Sequence, residues 1–231
     1  MKTLPTAIHA TWQNKLSPLF DLPIMEELRT QILPKCMFYP SFRDIFNVFS
    51  MPFNEVNVVI LGQDPYPRQG QATGYSFAVA ENTAIPASLR TIQKEVRNNF
   101  PDDSEVEKRM SLKTWRTLSH WRKQGVFLLN TALTVEKDRP GSHIKHWKPF
   151  TNEVIKMLAS RNPVWVLWGS YAKEYEKMIE AYSGDKVPRI LFAPHPATEN
   201  YPGSSGGFYG CNHFRIINYL LFSEGKPIIN W

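Results

Sequence analysis

Four apolar runs each lead straight into residues that can do chemistry. Val56–Leu61 passes into Gly62-Gln63-Asp64-Pro65-Tyr66-Pro67, Val126–Leu129 into Asn130, Val164–Trp168 into Gly169-Ser170, and Ile190–Ala193 into Pro194-His195. The set comprises a carboxylate, a carboxamide, a hydroxyl and an imidazole. Pro65 and Pro67 fix the backbone on either side of Tyr66 and stiffen the loop that carries Asp64. A rigid loop offering one acid and one aromatic wall suits catalysis on a small flat substrate. Taken singly, each residue also has an ordinary reading. Asp64-Pro65 reads as a capped turn, Asn130 as a turn residue, Phe77 as core, and Ser88 and Ser170 as helix N-caps. Their convergence depends on the elements that carry them.

Val58-Val59-Ile60-Leu61 is apolar throughout and largely β-branched, the pattern of a strand buried on both faces of a parallel sheet. Helical patterns lie between the apolar runs. Leu89–Phe100 follows Ser88 as a candidate cap, and Ser104-Glu105-Val106-Glu107 reads as a capping box. Leu112, Trp115, Leu118 and Trp121 are spaced to line one helical face that Gly125 stops. Phe150, Val154, Ile155 and Leu158 mark a helix ended by Asn162-Pro163, Tyr171–Tyr182 another, and Phe214–Phe222 a last one. Alternating strands and helices predict one α/β domain with a central, mainly parallel four-stranded sheet flanked by helices. The first fifty residues read as a helical segment packed on its side. Sheets of this kind bind ligands at the carboxyl ends of their strands, where the four reactive stretches would meet around one crevice.

The chain has 231 residues, 42% of them hydrophobic, enough for one domain with a full core. No apolar run is long enough to span a membrane, and Pro5, His9 and Gln13 interrupt the N-terminus, which predicts a cytoplasmic location. Cys36 and Cys211 have no ligand neighbours at metal-site spacing, so a reducing compartment and no metal are expected. His143-Ile144-Lys145-His146 offers a pair of imidazoles without a third ligand motif, and reads as structural or DNA-adjacent. His213 reads as a packing residue. The net charge of +6 favours polyanions such as nucleic acid.

The motifs, taken together and in order, resemble the uracil-DNA glycosylase family from about Val58 to the C-terminal helix. They are Gly62-Gln63-Asp64-Pro65-Tyr66, Gly74-Tyr75-Ser76-Phe77, Gly125–Asn130, Leu133-Thr134-Val135, Gly141-Ser142-His143, Trp168-Gly169-Ser170, His195-Pro196, and Gly207–Cys211 with His213-Phe214. The resemblance implies removal of uracil from DNA by hydrolysis of its N-glycosidic bond, with no cofactor and by a monomer that flips the target nucleotide into a pocket. It implies that Asp64 orients water and steadies a cationic sugar, and that neutral His195 donates to the developing charge on uracil O2. Gln63, Tyr66, Phe77 and Asn130 would surround the base: Asn130 matches N3–H and O4, Tyr66 abuts C5, and Phe77 stacks. Pro65, Ser88, Ser170, Ala197, Tyr201, Ser204 and Ser205 would follow the DNA. A protein inhibitor is a further candidate partner.

The chain departs from the family pattern twice. Pro67 stands where histidine is usual, which predicts an altered rate with activity retained. After His195-Pro196 a longer loop, Ala197–Gly206, replaces the usual Ser-Pro-Leu and puts Glu199 at the leucine position. Two readings of this loop stand side by side. Either Tyr201, stiffened by Pro202, is a replacement wedge and the Gly/Ser stretch meets phosphates, or the loop is a surface insertion without a wedge. Competing functions are a glycosylase for 5-substituted pyrimidines, which Tyr66 opposes, and a DNA-binding accessory subunit, which the joint presence of Asp64, Asn130 and His195 opposes. A nucleotide-binding module of the P-loop or dinucleotide type would need a Gly-rich loop that this chain lacks.

Overall fold

The computed structural model describes residues 5–198 and 207–231. Strands β2 (Val58–Gly62), β3 (Val126–Asn130), β5 (Val164–Trp168) and β6 (Arg189–Ala193) form one parallel sheet in the order β3-β2-β5-β6. A small antiparallel ribbon joins β1 (Phe38–Tyr39) to β4 (Val135–Glu136). From β2 the chain moves outward to β3, then crosses back to the other side of β2 for β5 and β6. The switch in direction lies beside β2, which is where open α/β sheets leave a crevice at the strands' carboxyl ends.

Register decides what meets there. Gly62 pairs with Asn130, Leu61 with Leu167, and Trp168 with Ala193. The last residues of all four strands therefore fall in one row, and the reactive stretches leave the sheet side by side. Strands β2, β3 and β5 are buried along their whole length, as their apolar runs predict.

Helices cover both faces. On one side, α1 (Ala10–Leu16), α2 (Pro23–Glu27) and α7 (Ile144–Ala159) pack with Val59, Leu61, Phe127 and Trp165. Trp12 anchors the N-terminal segment here: its ring stacks on Phe127 at 5.4 Å, and its indole N–H donates to the Met51 carbonyl at 2.8 Å. The short helices α8 (Ser170–Lys173) and α9 (Glu176–Tyr182) complete this layer, so the single helix expected over 171–182 begins at Ser170 and is broken at Tyr175. On the other side, α3 (Ala87–Asn99), α4 (Ser104–Ser111) and α10 (His213–Ser223) pack with Val58, Ile60, Leu128 and Trp168.

Three local expectations are corrected. The helix expected through Leu112 and Trp121 is two pieces, α5 (Thr114–Thr117) and α6 (Ser119–Arg122), because Leu118 takes a left-handed conformation with φ 49°. The turn lets Trp115, Leu118 and Trp121 all reach the core while Leu112 is left exposed; burial there offsets a backbone strain of roughly 1–2 kcal/mol. Gly125 does stop the segment, at φ 88°, with the Glu55 carbonyl where a Cβ would sit. Helix α4 is capped by Asp103, whose carboxylate accepts the N–H groups of Glu105 and Val106, and not by Ser104. Neither Ser88 nor Ser170 is an N-cap: those positions are held by Pro86 and Gly169.

Candidate active site

Asp64 leaves the sheet two residues after the end of β2, half-buried. Its Oδ2 accepts the Gly141 N–H at 2.5 Å, and Gln63 Nε2 donates to Oδ1 at 3.4 Å. Burial raises the carboxyl above its usual 3.8, and the bonds from Gly141 and Gln63 oppose that rise. The carboxylate is thus held in one orientation with a somewhat strengthened basicity. Gly141 belongs to a motif but not to the expected site. It lies 77 residues from Asp64 in the chain, so no local spacing connects them.

Asn130 ends β3 and is only 5% exposed. Among the described residues no hydrogen bond reaches its side-chain amide. The amide atoms are not sealed in the core, so water or a ligand entering from the crevice can satisfy them. Its Oδ1 packs so closely on Gly62 that a Cβ there would lie 2.3 Å away, so the strand end needs glycine.

Tyr66 and Phe77 make the aromatic part. Phe77 is a non-glycine residue at φ 61°, a conformation that costs of order 1 kcal/mol or more and tends to persist at functional sites. Its carbonyl accepts from the Tyr66 hydroxyl at 3.3 Å, and its ring lies 5.3 Å from Trp168 and 5.9 Å from His195. The Tyr66 hydroxyl also meets Ser88 Oγ at 2.8 Å, and burial pushes its pKa up to about 12. Ser88 is therefore turned inward against Tyr66 and is almost wholly buried, whereas Ser170 is exposed at the end of β5.

His195 follows β6 and closes on Gly169, whose φ of 92° and missing Cβ let the two backbones approach. His195 Nδ1 accepts the Ala197 N–H at 3.1 Å. An acceptor cannot carry a proton, so the neutral ring is protonated on Nε2, and among the described residues that nitrogen has no partner. Burial lowers the pKa of the ring below 6.5 and keeps it neutral. Pro65, next to Asp64 in the loop, is buried, and Ala197 contributes its amide to His195. Tyr201, Ser204 and Ser205 lie outside the described residues. Among the described residues no group of three or more acidic, histidine or cysteine side chains is placed to hold a metal ion.

Residues 50–221 match the family model of the uracil DNA glycosylase superfamily. The chain belongs to that superfamily. It is 41% identical to Uracil-DNA glycosylase 1 of Bacteroides fragilis (strain ATCC 25285) over 97% of this chain and 98% of the relative. Uracil-DNA glycosylase of Proteus mirabilis (strain HI4320) is 36% identical over 96% and 95% of the two chains. Among solved structures, the mimivirus uracil-DNA glycosylase superposes with a TM-score of 0.80 at 25% identity, covering 97% of this chain and 87% of that one. A mimivirus UNG variant in complex with UGI superposes with a TM-score of 0.81 at 25% identity, covering 99% and 90%. The superfamily match spans the whole row of strand ends, from β2 through β6, and reaches into α10.

Proposed function

We propose that this chain is a DNA repair glycosylase that hydrolyses the N-glycosidic bond of deoxyuridine in DNA, releasing uracil and leaving an abasic site. The observation that carries the reading is the pair of unengaged groups, the Asn130 carboxamide and the His195 Nε2–H, at the ends of strands beside the loop that bears Asp64. Breaking the C1′–N1 bond leaves positive charge on the sugar and negative charge on the base, a division common to glycoside cleavage. Asp64, held by Gly141, steadies the sugar cation and orients the water that attacks C1′. His195 donates from Nε2 to uracil O2 as charge gathers there, which is worth most when the donor is already in place and dry.

Asn130 donates to O4 and accepts from N3–H. Cytosine presents the reverse pattern and leaves buried groups unpaired, which can discriminate by about 10⁴. Tyr66 occupies the space a 5-methyl group would need, Gln63 borders the base, and Phe77 stacks on it for roughly 1–3 kcal/mol. Pro65, Ser170, Ala197 and the loop residues Tyr201, Ser204 and Ser205 follow the strand and its phosphates. Ser88, with its hydroxyl on Tyr66, acts on that path by bracing the tyrosine. We take the enzyme to act as a monomer in the cytoplasm, the location being supported by two free thiols. A protein inhibitor is a further partner, supported by the complex of the mimivirus UNG variant with UGI.

Incubation with a uracil-containing oligonucleotide, followed by alkaline cleavage, tests the reading. Free uracil and strand scission at the uracil position are expected, with activity falling steeply as salt is added. Strand scission confined to thymine in a mismatch, or no release from any strand, would overturn it.

A further inference from the structure

Glu95 lies in the middle of α3 and is fully buried, yet among the described residues no cationic side chain pairs with it. It accepts instead from N–H groups on the far side of the 199–206 segment. Oε2 accepts the Gly210 N–H at 2.6 Å, and Oε1 accepts the Asn212 N–H at 2.9 Å. Asn212 is the N-cap of α10, held at φ 57°, and its own side chain caps nothing in that helix. One turn further along α3, Asn99 Nδ2 donates to Glu95 Oε1 at 2.6 Å, and Asn99 Oδ1 accepts the Arg215 N–H at 3.2 Å. Helix α3 thus supplies the acceptors that the first turn of α10 lacks, with a negative charge at its positive end.

The segment held in this way leads to the base site. Phe208 meets Trp168 edge-on at 5.0 Å, and His213 Nδ1 accepts the Trp168 indole N–H at 3.1 Å. Trp168 in turn backs Phe77 at 5.3 Å. Gly207 approaches Pro194, the neighbour of His195. We propose that Glu95 is a positioning residue: it fixes Phe208–His213, so that Trp168 stays behind Phe77 and the pyrimidine platform keeps its tilt. The claim rests on the functional reading above for what that platform holds.

Glu95→Gln is nearly isosteric, but its NH2 group has to face an N–H donor at one of the two oxygens. At a temperature well below melting, it is expected to lower kcat for uracil release about tenfold and to weaken inhibition by free uracil by a similar factor, because a small misplacement near reacting groups has an effect of this order or larger. KM for DNA is expected to change by less than about twofold, since Glu95 bonds to none of the residues proposed to follow the phosphates. The Trp168 indole proton, followed by NMR, is expected to shift, and this readout needs no activity. Were the wild-type protein itself inactive, the functional reading would fail while the indole shift still tested the placement of Trp168. A lowered Tm with wild-type kcat, uracil inhibition and indole resonance would reduce Glu95 to a structural role and overturn the proposal. If Glu95→Gln does not fold, Glu95→Asp takes its place with the same readouts: a shifted indole with lowered kcat supports the positioning role, and wild-type values for both overturn it.

Discussion

The structure has two regions where histidines are largely buried, and they differ in what is left over. In one, His143 is engaged at both nitrogens: Nδ1 meets Thr134 Oγ1 at 3.0 Å, and Nε2 lies 3.8 Å from Cys36 Sγ. His213, which lies behind Trp168 on the side of the other region, is likewise committed, to the Trp168 indole and to the Phe192 backbone, and its pKa is pushed down to about 4. In the other region, His195 is also driven neutral by burial but uses one nitrogen to take the Ala197 amide. Burial and a lowered pKa do not separate the two regions. An unengaged donor does, beside an equally unengaged Asn130. Polar groups that satisfy one another hold a fold together; at the strand ends, by contrast, the His195 Nε2–H and the Asn130 amide are left open to a ligand.

The contrast is challenged most severely by Asp64→Asn, which keeps the shape and removes the charge. Uracil release should fall by about a thousandfold, within the range for a positioned acid or base, while DNA binding stays near normal. Turnover close to wild type would remove Asp64 from the reaction. Next is Asn130→Asp, whose carboxylate accepts from the cytosine amino group and repels uracil O4. Preference for uracil over cytosine should shrink by at least about a hundredfold, and unchanged preference in a competition assay would place base reading elsewhere. His195→Ala removes the Nε2 donor and should lower kcat by about a hundredfold. A larger loss from substituting His143, in protein that remains folded, would reverse the contrast between the two regions.

Two smaller effects refine it. In the proposed reaction Asp64 works ionised, and its carboxyl is raised, so acidification protonates it sooner than an exposed aspartate. His195 is proposed to work neutral, and its pKa is lowered below 6.5, so it remains uncharged further into acid than an exposed histidine. The rate should therefore fall only on the acid side, and stay level above neutrality while Tyr66, at about 12, keeps its proton. A falling rate between pH 7 and 9 would show that a charged imidazole is needed. Last, Cys36→Ser alters the satisfied region alone and should leave kcat within about twofold, since substitutions away from special features have small effects.

Much of the architecture is legible in the sequence because apolar runs without alternation mark strands buried on both faces, and each such run ends in a residue able to do chemistry. The order β3-β2-β5-β6 is not legible, since periodicity says nothing about which strand lies beside which. Asp64, Asn130 and His195 can be named from their strand ends. The Nε2 tautomer of His195 cannot, because it depends on an amide two residues later turning back on the ring. Serine before a helical pattern is a common capping signal, and at Ser88 it misleads. Pro86 starts that helix earlier, and the hydroxyl is drawn to Tyr66 instead. Gly141 and Glu95 act across long stretches of chain, through contacts that exist only once the domain has closed.

Helix α3 touches Tyr66 at one end, through Ser88, and the start of α10 towards the other, through Glu95 on Asn212 and Asn99 on Arg215. Opening of the whole helix has to break both anchorages together. Amide protons around Tyr66 and around Asn212, far apart in the chain, should therefore exchange with solvent as one cooperative unit, and a ligand that quiets one group should slow the other.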